Sequence, residues 1–198
     1  LLLSILAISL VLADRPDIAS TIPDSFSLEI AFKQDVDNTK QTLSISKEFN
    51  RAKSLQQVKQ GDDIIEFITI ADFTLDQVSV YSGHHGMCSV SPLSAQVGFV
   101  DAVRAIFNDP AQSPMVEDRG MNMFTVNWKS IEGVDDWTHF LFDKETNELE
   151  LFEHYFKDES EDPWVSFEVL RPITPEAFDQ AHFENPDCPF ETEKVVDM

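Results

Sequence analysis

Polar and apolar residues alternate strictly across SFSLEIAFK: Phe26, Leu28, Ile30 and Phe32 fall on one face, Ser25, Ser27, Glu29 and Ala31 on the other. A period of two marks a half-buried strand, because successive side chains of an extended chain point to opposite faces. The turn-like DVDNT follows, then QTLSISKEF with Leu43 and Ile45 facing inward, and a weaker strand across AKSLQQVK. After a break at QGDD, the segment DIIEFITIADFT is apolar on both faces, with Ile65, Phe67 and Phe73 on one and Ile64, Ile68 and Ile70 on the other. Its β-branched and aromatic content favours a central strand over a helix. QVSVYSG and MCSVSPL complete a run of about six short strands, whose close spacing favours an antiparallel meander.

The pattern then changes. In VGFVDAVRAIFND, Phe99, Val103 and Phe107 recur every fourth position with Val100 and Ile106 alongside, which predicts a helix with one apolar stripe. DPAQSPMVEDRG reads as a loop, and MFTVNWKS, DWTHFLFDKE and NELELFEHYF read as three further strands. The last two form a hairpin around KETN; if Asp143 faces Glu148, Phe140 opposes Leu151 and Phe142 opposes Leu149. The other face then carries Trp137, His139, Leu141, Phe152, His154 and Phe156, more aromatic than a sheet with one side in water. WVSFEVLRPI is a last strand. TPEAFDQAHF predicts a short closing helix with Thr174 as N-cap and Pro175 in the first position. The fold class is mainly β, in the α+β sense, and the absence of repeats and Gly/Ser linkers makes residues 14–198 a single domain.

Charge narrows the partners. The 198 residues carry 36 acids against 14 bases, a formal net charge of -22. Phosphate backbones and anionic membranes both require basic surfaces, so nucleic acid and membrane-surface adsorption are excluded. A hydrophobic fraction of 42% with 16 Phe supports a real core. Residues 1–13, LLLSILAISLVLA, form an uncharged apolar run that is too short for the ~20 residues of a membrane span. With small residues before Asp14, the run reads as the remnant of a signal peptide. The expected location is secreted, extracellular or lumenal.

Two cysteines, Cys88 and Cys188, would in that compartment most simply form one disulfide; an intermolecular bond and free thiols are the alternatives. The motif HHGMC places His84 and His85 just before Cys88, with His139, His154 and His182 elsewhere. A zinc site needs three or four ligands, and no second pair repeats at finger spacing. A nucleophilic thiol needs a low-pKa, reduced cysteine beside its base. The plain reading is a glycine-bracketed turn. DVDNT starts like a calcium loop but has Lys40 and Ser46 where an EF-hand needs Gly and Glu. Weak calcium binding by Asp158, Glu159, Glu161 and Asp162 is the remaining metal expectation, and no other cofactor is expected. No hydrolase, metalloprotease, P-loop or dinucleotide signature occurs, so no catalytic residue is assigned.

The notable surplus is aromatic. Phe67, Phe73, Trp128, Trp137, Phe152, Phe156, Trp164 and Phe167 lie on predicted sheet faces, where they either line an apolar pocket or fill a plain core. The order of elements, with FTVNWKS before two long strands and WVSFEVLRPITPEAFDQAHFENPDCP at the end, resembles ependymin-related secreted proteins and eukaryotic LolA-like domains. The resemblance implies a curved antiparallel sheet, a half-barrel with two or more helices packed on one face. It also implies a non-enzymatic protein that binds a lipid or other hydrophobic small molecule in the half-barrel, and the eight aromatic residues read from the sheet faces are the candidate ligand site. The alternative is an acidic extracellular interaction or matrix protein with weak calcium binding.

Overall fold

The computed structural model describes residues 15–93, 99–128, 136–156 and 162–190, Phe156 by its backbone alone. The apolar run at 1–13, the acids Asp158, Glu159 and Glu161, and the side chain of Phe156 lie outside the described residues. The protein is mostly β, with eleven antiparallel strands, two helices and one 3-10 turn among the described residues. It divides into two compact units, Pro23–Val103 with Val165–Met198, and Leu1–Ile22 with Arg104–Trp164. No described helix is long and apolar enough to cross a membrane.

The larger unit is the predicted meander. Its strands are β1 (Ser25–Phe32), β2 (Thr39–Ser46), β3 (Arg51–Gln60), β4 (Asp63–Asp72), β5 (Gln77–Ser82) and β6 (Met87–Pro92), each paired with the next. The later strand β11 (Val165–Pro175) pairs with the outer side of β1. Register places Leu28, Leu43, Ser54, Thr69 and Val80 in one row, and Phe26, Ile45, Ala52, Ala71 and Val78 in the next. Directly opposed residues share a face, so both rows belong to one side of the strands. The other side carries the row Ser27, Ser44, Lys53, Ile70 and Ser79.

The C-terminal segment closes that second side. Phe183, wholly buried, packs on Phe49 at 5.9 Å and Phe178 at 5.3 Å, and Lys53 Nζ donates to the carbonyl of His182 at 2.8 Å. Cys188 is joined to Cys88 across 100 residues. The closing helix expected from Thr174 does not form. Thr174 and Pro175 instead pair with Ser27 and Phe26, and Glu176 N–H extends the ladder to Ser25 O. The cap shifts to Asp179, whose carboxylate accepts from His182 N–H and starts only a 3-10 turn, Gln180–Phe183. A free strand edge on β1 thus outcompeted a local N-cap signal.

The smaller unit contains β7 (Met115–Asp118), β8 (Met121–Asn127), β9 (Asp136–Phe142) and β10 (Leu149–Phe156), paired in that order, and the short helix α1 (Ile18–Thr21). Strand β7 occupies the stretch expected to be loop. It exists because Arg119 (φ 52°) and Gly120 (φ 78°) both take left-handed backbone, the conformation of a two-residue hairpin turn. The β9–β10 hairpin begins as expected, Phe142 facing Leu149, but a bulge between Leu149 and Leu151 then shifts the register. Phe140 therefore faces Phe152, Leu141 faces Leu151, and His154 changes sides relative to His139.

The helix α2 (Phe99–Asn108) has its first five residues in the larger unit and its last five in the smaller. In the smaller unit Phe107 packs edge-to-face on Phe124, Phe140 and Phe142 at 5.4–5.7 Å. Arg15 donates to Phe107 O at 2.8 Å, supplying a cation to a carbonyl of the last helical turn, and to Ser113 O of the following loop at 2.7 Å. Burial holds the Arg15 guanidinium below its ordinary pKa, partly offset by Asp109.

Candidate ligand-binding trough

On the first face of the larger unit, side-chain size drops abruptly in the middle. Next to Leu43 and Ile45 stand Ala52 and Ser54 on β3, then Thr69 and Ala71 on β4. Small residues on four adjacent positions of an apolar face leave a depression that their neighbours cannot fill. The structure holds there a cavity of about 190 Å³, with Phe99 of α2 completing its wall. A second space of about 150 Å³ lies beside it, lined by Phe73, Phe99 and Val100 together with Ser46, Lys47, Asn50 and Asp101. Phe99 is common to both, and its ring stacks on Phe73 at 5.7 Å.

The two spaces differ in chemistry. The trough is lined by Leu43, Ile45, Ala52, Ala71 and Phe99, together with Ser54, Thr69 and Lys53. The mouth is polar: Lys47 Nζ is 2.8 Å from Asp101 Oδ1, both side chains being exposed. Asn50 closes the β2–β3 turn in left-handed backbone (φ 49°), with its amide donating to Thr74 Oγ1. The turn between β4 and β5 is pinned by Asp72, a buried carboxylate. Asp72 accepts from the amides of Thr74 and Leu75 and pairs with Arg51 at 2.7 Å. These two turns place Lys47, Asn50 and Phe73 around one opening.

Of the eight aromatic residues expected to form the site, the seven with described side chains are not gathered into it. Phe73 lines the mouth, and Phe67 lies on the trough's face two residues before Thr69. Phe167 belongs to the same unit but packs on Phe32 at 4.7 Å, at the far strand pair β1–β11. Trp128, Trp137, Phe152 and Trp164 lie in the smaller unit, and none lines the trough. There Phe152 stacks on Phe140 at 6.1 Å, and Trp164 is 75% exposed, 6.2 Å from His154. Trp128 Nε1 donates to Thr138 Oγ1 at 2.8 Å, which leaves the Thr138 hydrogen for His154 Nδ1 at 3.0 Å. In the neutral imidazole the proton then sits on Nε2, facing Asp136 Oδ2 at 3.3 Å.

On the opposite side of the same strands, Arg119 grips the buried carboxylate of Glu153 through two contacts of 2.9 and 2.6 Å. Tyr155 donates to that carboxylate at 3.3 Å and rests on His139 at 4.5 Å. Burial, then the Glu153 charge, raises the Tyr155 phenol to about 12.

The HHGMC motif resolves as a turn. His84 and His85 lie edge-to-face at 4.7 Å, and Cys88 is bonded to Cys188, so its sulfur is neither a thiolate ligand nor a nucleophile. Among the described residues no group of three or more His, Cys, Asp or Glu is placed to hold a metal ion.

Missing from the sequence-based list are Ala52, Ser54, Thr69, Ala71 and Phe99. The signal was legible in principle as consecutive small residues at inward positions of paired strands, but it requires the register to align them.

No family model matches the chain, and no curated protein matches it. Solved structures do. The chain is similar to an uncharacterized conserved protein from Thermus thermophilus, with a TM-score of 0.52 and 10% identity over 84% of this chain and 88% of that one. At that identity the likeness concerns the fold alone.

Proposed function

We propose that the trough holds the apolar part of a small hydrophobic ligand, and that the chain is a non-enzymatic binding protein of an oxidising, extracellular or lumenal compartment. One observation carries the reading: Ala52, Ser54, Thr69 and Ala71 stand on an apolar face where larger side chains would close the core. Ligand sites are typically concave and mostly apolar, with a few polar groups at one end, which is the composition of this trough and its mouth. The Cys88–Cys188 bond supports the compartment, because such bonds persist where thiols are not kept reduced. The antiparallel meander is in keeping with the half-barrel carriers that the ependymin and LolA resemblance implies.

The test uses the full chain with its disulfide intact and the neutral fluorophore N-phenyl-1-naphthylamine. The wild type is expected to raise its emission. Ala71→Phe and Ala52→Phe, which fill the trough, are expected to lose that response while keeping the unfolding midpoint. Equal binding by the filled variants, or none by the wild type, overturns the reading.

A further inference from the structure

We infer that the ligand is a single-chain amphiphile with a zwitterionic head, its chain in the trough and its head between Lys47 and Asp101. The inference rests on the ligand-binding reading of the trough and adds the chemical class.

Size sets the number of chains. An engineered apolar cavity of about 150 Å³ takes a benzene molecule, so the 190 Å³ trough takes a stretch of roughly six to eight carbons. Two acyl chains side by side do not fit. The 150 Å³ space that shares the Phe99 wall brings the combined volume to the lower end of the roughly 300–1,000 Å³ of ordinary small-ligand sites.

Charge sets the head. The mouth offers one cation and one anion, Lys47 and Asp101, 2.8 Å apart. Both are exposed, so their pairing costs little to open. A carboxylate or sulfate head would satisfy Lys47 but face Asp101, in a protein whose net charge of -22 repels anions at long range. A purely cationic head would reverse the local conflict, meeting Asp101 and opposing Lys47. A phosphocholine-like head meets both, phosphate to Lys47 and quaternary ammonium to Asp101, and carries no net charge against the protein's field. The side-chain amide of Asn50 adds a neutral donor at the same opening.

Displacement of N-phenyl-1-naphthylamine by four decyl amphiphiles, each below its micelle concentration, tests this. The heads are phosphocholine, carboxylate, trimethylammonium and maltoside. Decylphosphocholine is expected to displace the reporter at roughly five-fold lower concentration than the other three, the ratio that about 1 kcal/mol of exposed charge pairing gives. Within each variant the ratio among the four heads is the readout. Lys47→Met is expected to move the preference to trimethylammonium, and Asp101→Asn to carboxylate. Equal displacement by all four heads, or an unchanged order in both variants, overturns the inference and leaves the apolar trough standing. Absence of reporter binding to the wild type overturns the trough and the inference together.

Discussion

Phe107 and Phe99 are two aromatic residues of one helix, each set against an apolar strand face. In the smaller unit Phe107 is 7% exposed and meets three phenylalanine rings, Phe124, Phe140 and Phe142, which fill the volume edge-to-face. In the larger unit Phe99 is 37% exposed, stacks on Phe73, and borders a floor of Ala52, Ser54, Thr69 and Ala71. The polarity pattern of both faces is similar. The volume at the opposing positions differs, and interiors are close-packed only where volumes sum to fill the space. One face became core and the other a trough.

The two units are also held differently. The larger one is closed by a covalent link between β6 and the C-terminal segment. The smaller one relies on packing and on the Arg119–Glu153 pair. The strongest way to break this contrast is the double variant Cys88→Ser with Cys188→Ser. Releasing a closed loop of 100 residues is expected to lower unfolding free energy by about 3–5 kcal/mol. Denaturant titration gives the size, and hydrogen exchange is expected to show faster opening at β5 and β6 than at β8 and β9. Uniform loss of protection across all strands would mean that the units do not differ in this way.

Next in size is Phe107→Ala, expected to cost about 3–5 kcal/mol because three rings lose a common partner. Its counterpart Ala71→Leu adds bulk to the trough and is expected to change stability by less than about 1 kcal/mol. Thermal unfolding of the pair decides whether the first face is full: a strongly destabilised Ala71→Leu would show a packed site and no trough.

Arg119→Met leaves the buried Glu153 carboxylate with the Tyr155 hydroxyl as a remaining donor. Breaking a buried pair costs about 3–5 kcal/mol, but Arg119 is 42% exposed, so about 2 kcal/mol is expected after allowing for solvent screening. A denaturant midpoint equal to that of wild type would show that the pair contributes nothing to the smaller unit.

The smallest effect concerns the C-terminal segment. His182 stacks on Phe178 at 4.5 Å, and burial first, then the Lys53 charge, hold its imidazole below the ordinary 6.5; Glu176 and Asp179 oppose the shift. The unfolded chain therefore takes up the proton first. The stability involved is present above pH 6.5 and is lost as pH falls through the lower folded value. Wild type is expected to lose more stability between pH 7.5 and 5.5 than His182→Gln does. Identical pH profiles for the two would remove His182 from the account.

The strands that alternate or run apolar on both sides were legible because period two depends only on neighbouring residues. Hence β1 to β6, the helix carrying Phe99 and Phe107, and β8 to β11 fall near their expected places. Three features were not. Strand β7 depends on the paired left-handed turn at Arg119 and Gly120, and the bulge before Leu151 reassigns Phe152 and His154 to the other face. The segment at Thr174 carries good helix-start chemistry, yet β1 offers it a ladder. Each outcome depends on a partner strand that a local window does not contain. The candidate site was read through its large residues, whereas its floor is made by the small ones.

Composition and periodicity alone determined an acidic, mainly β chain with a Phe-rich interior and two cysteines available for pairing, since charge, alternation and cysteine count are properties of the residues themselves. Only the tertiary structure decided the joining of Cys88 to Cys188 and the use of the C-terminal segment to cover one face. It also decided that Ala52, Ser54, Thr69 and Ala71 lie side by side on the other. These are facts of register and of which chain ends meet, set by the sum of many long-range contacts, and an empty volume exists only once the strands around it are aligned.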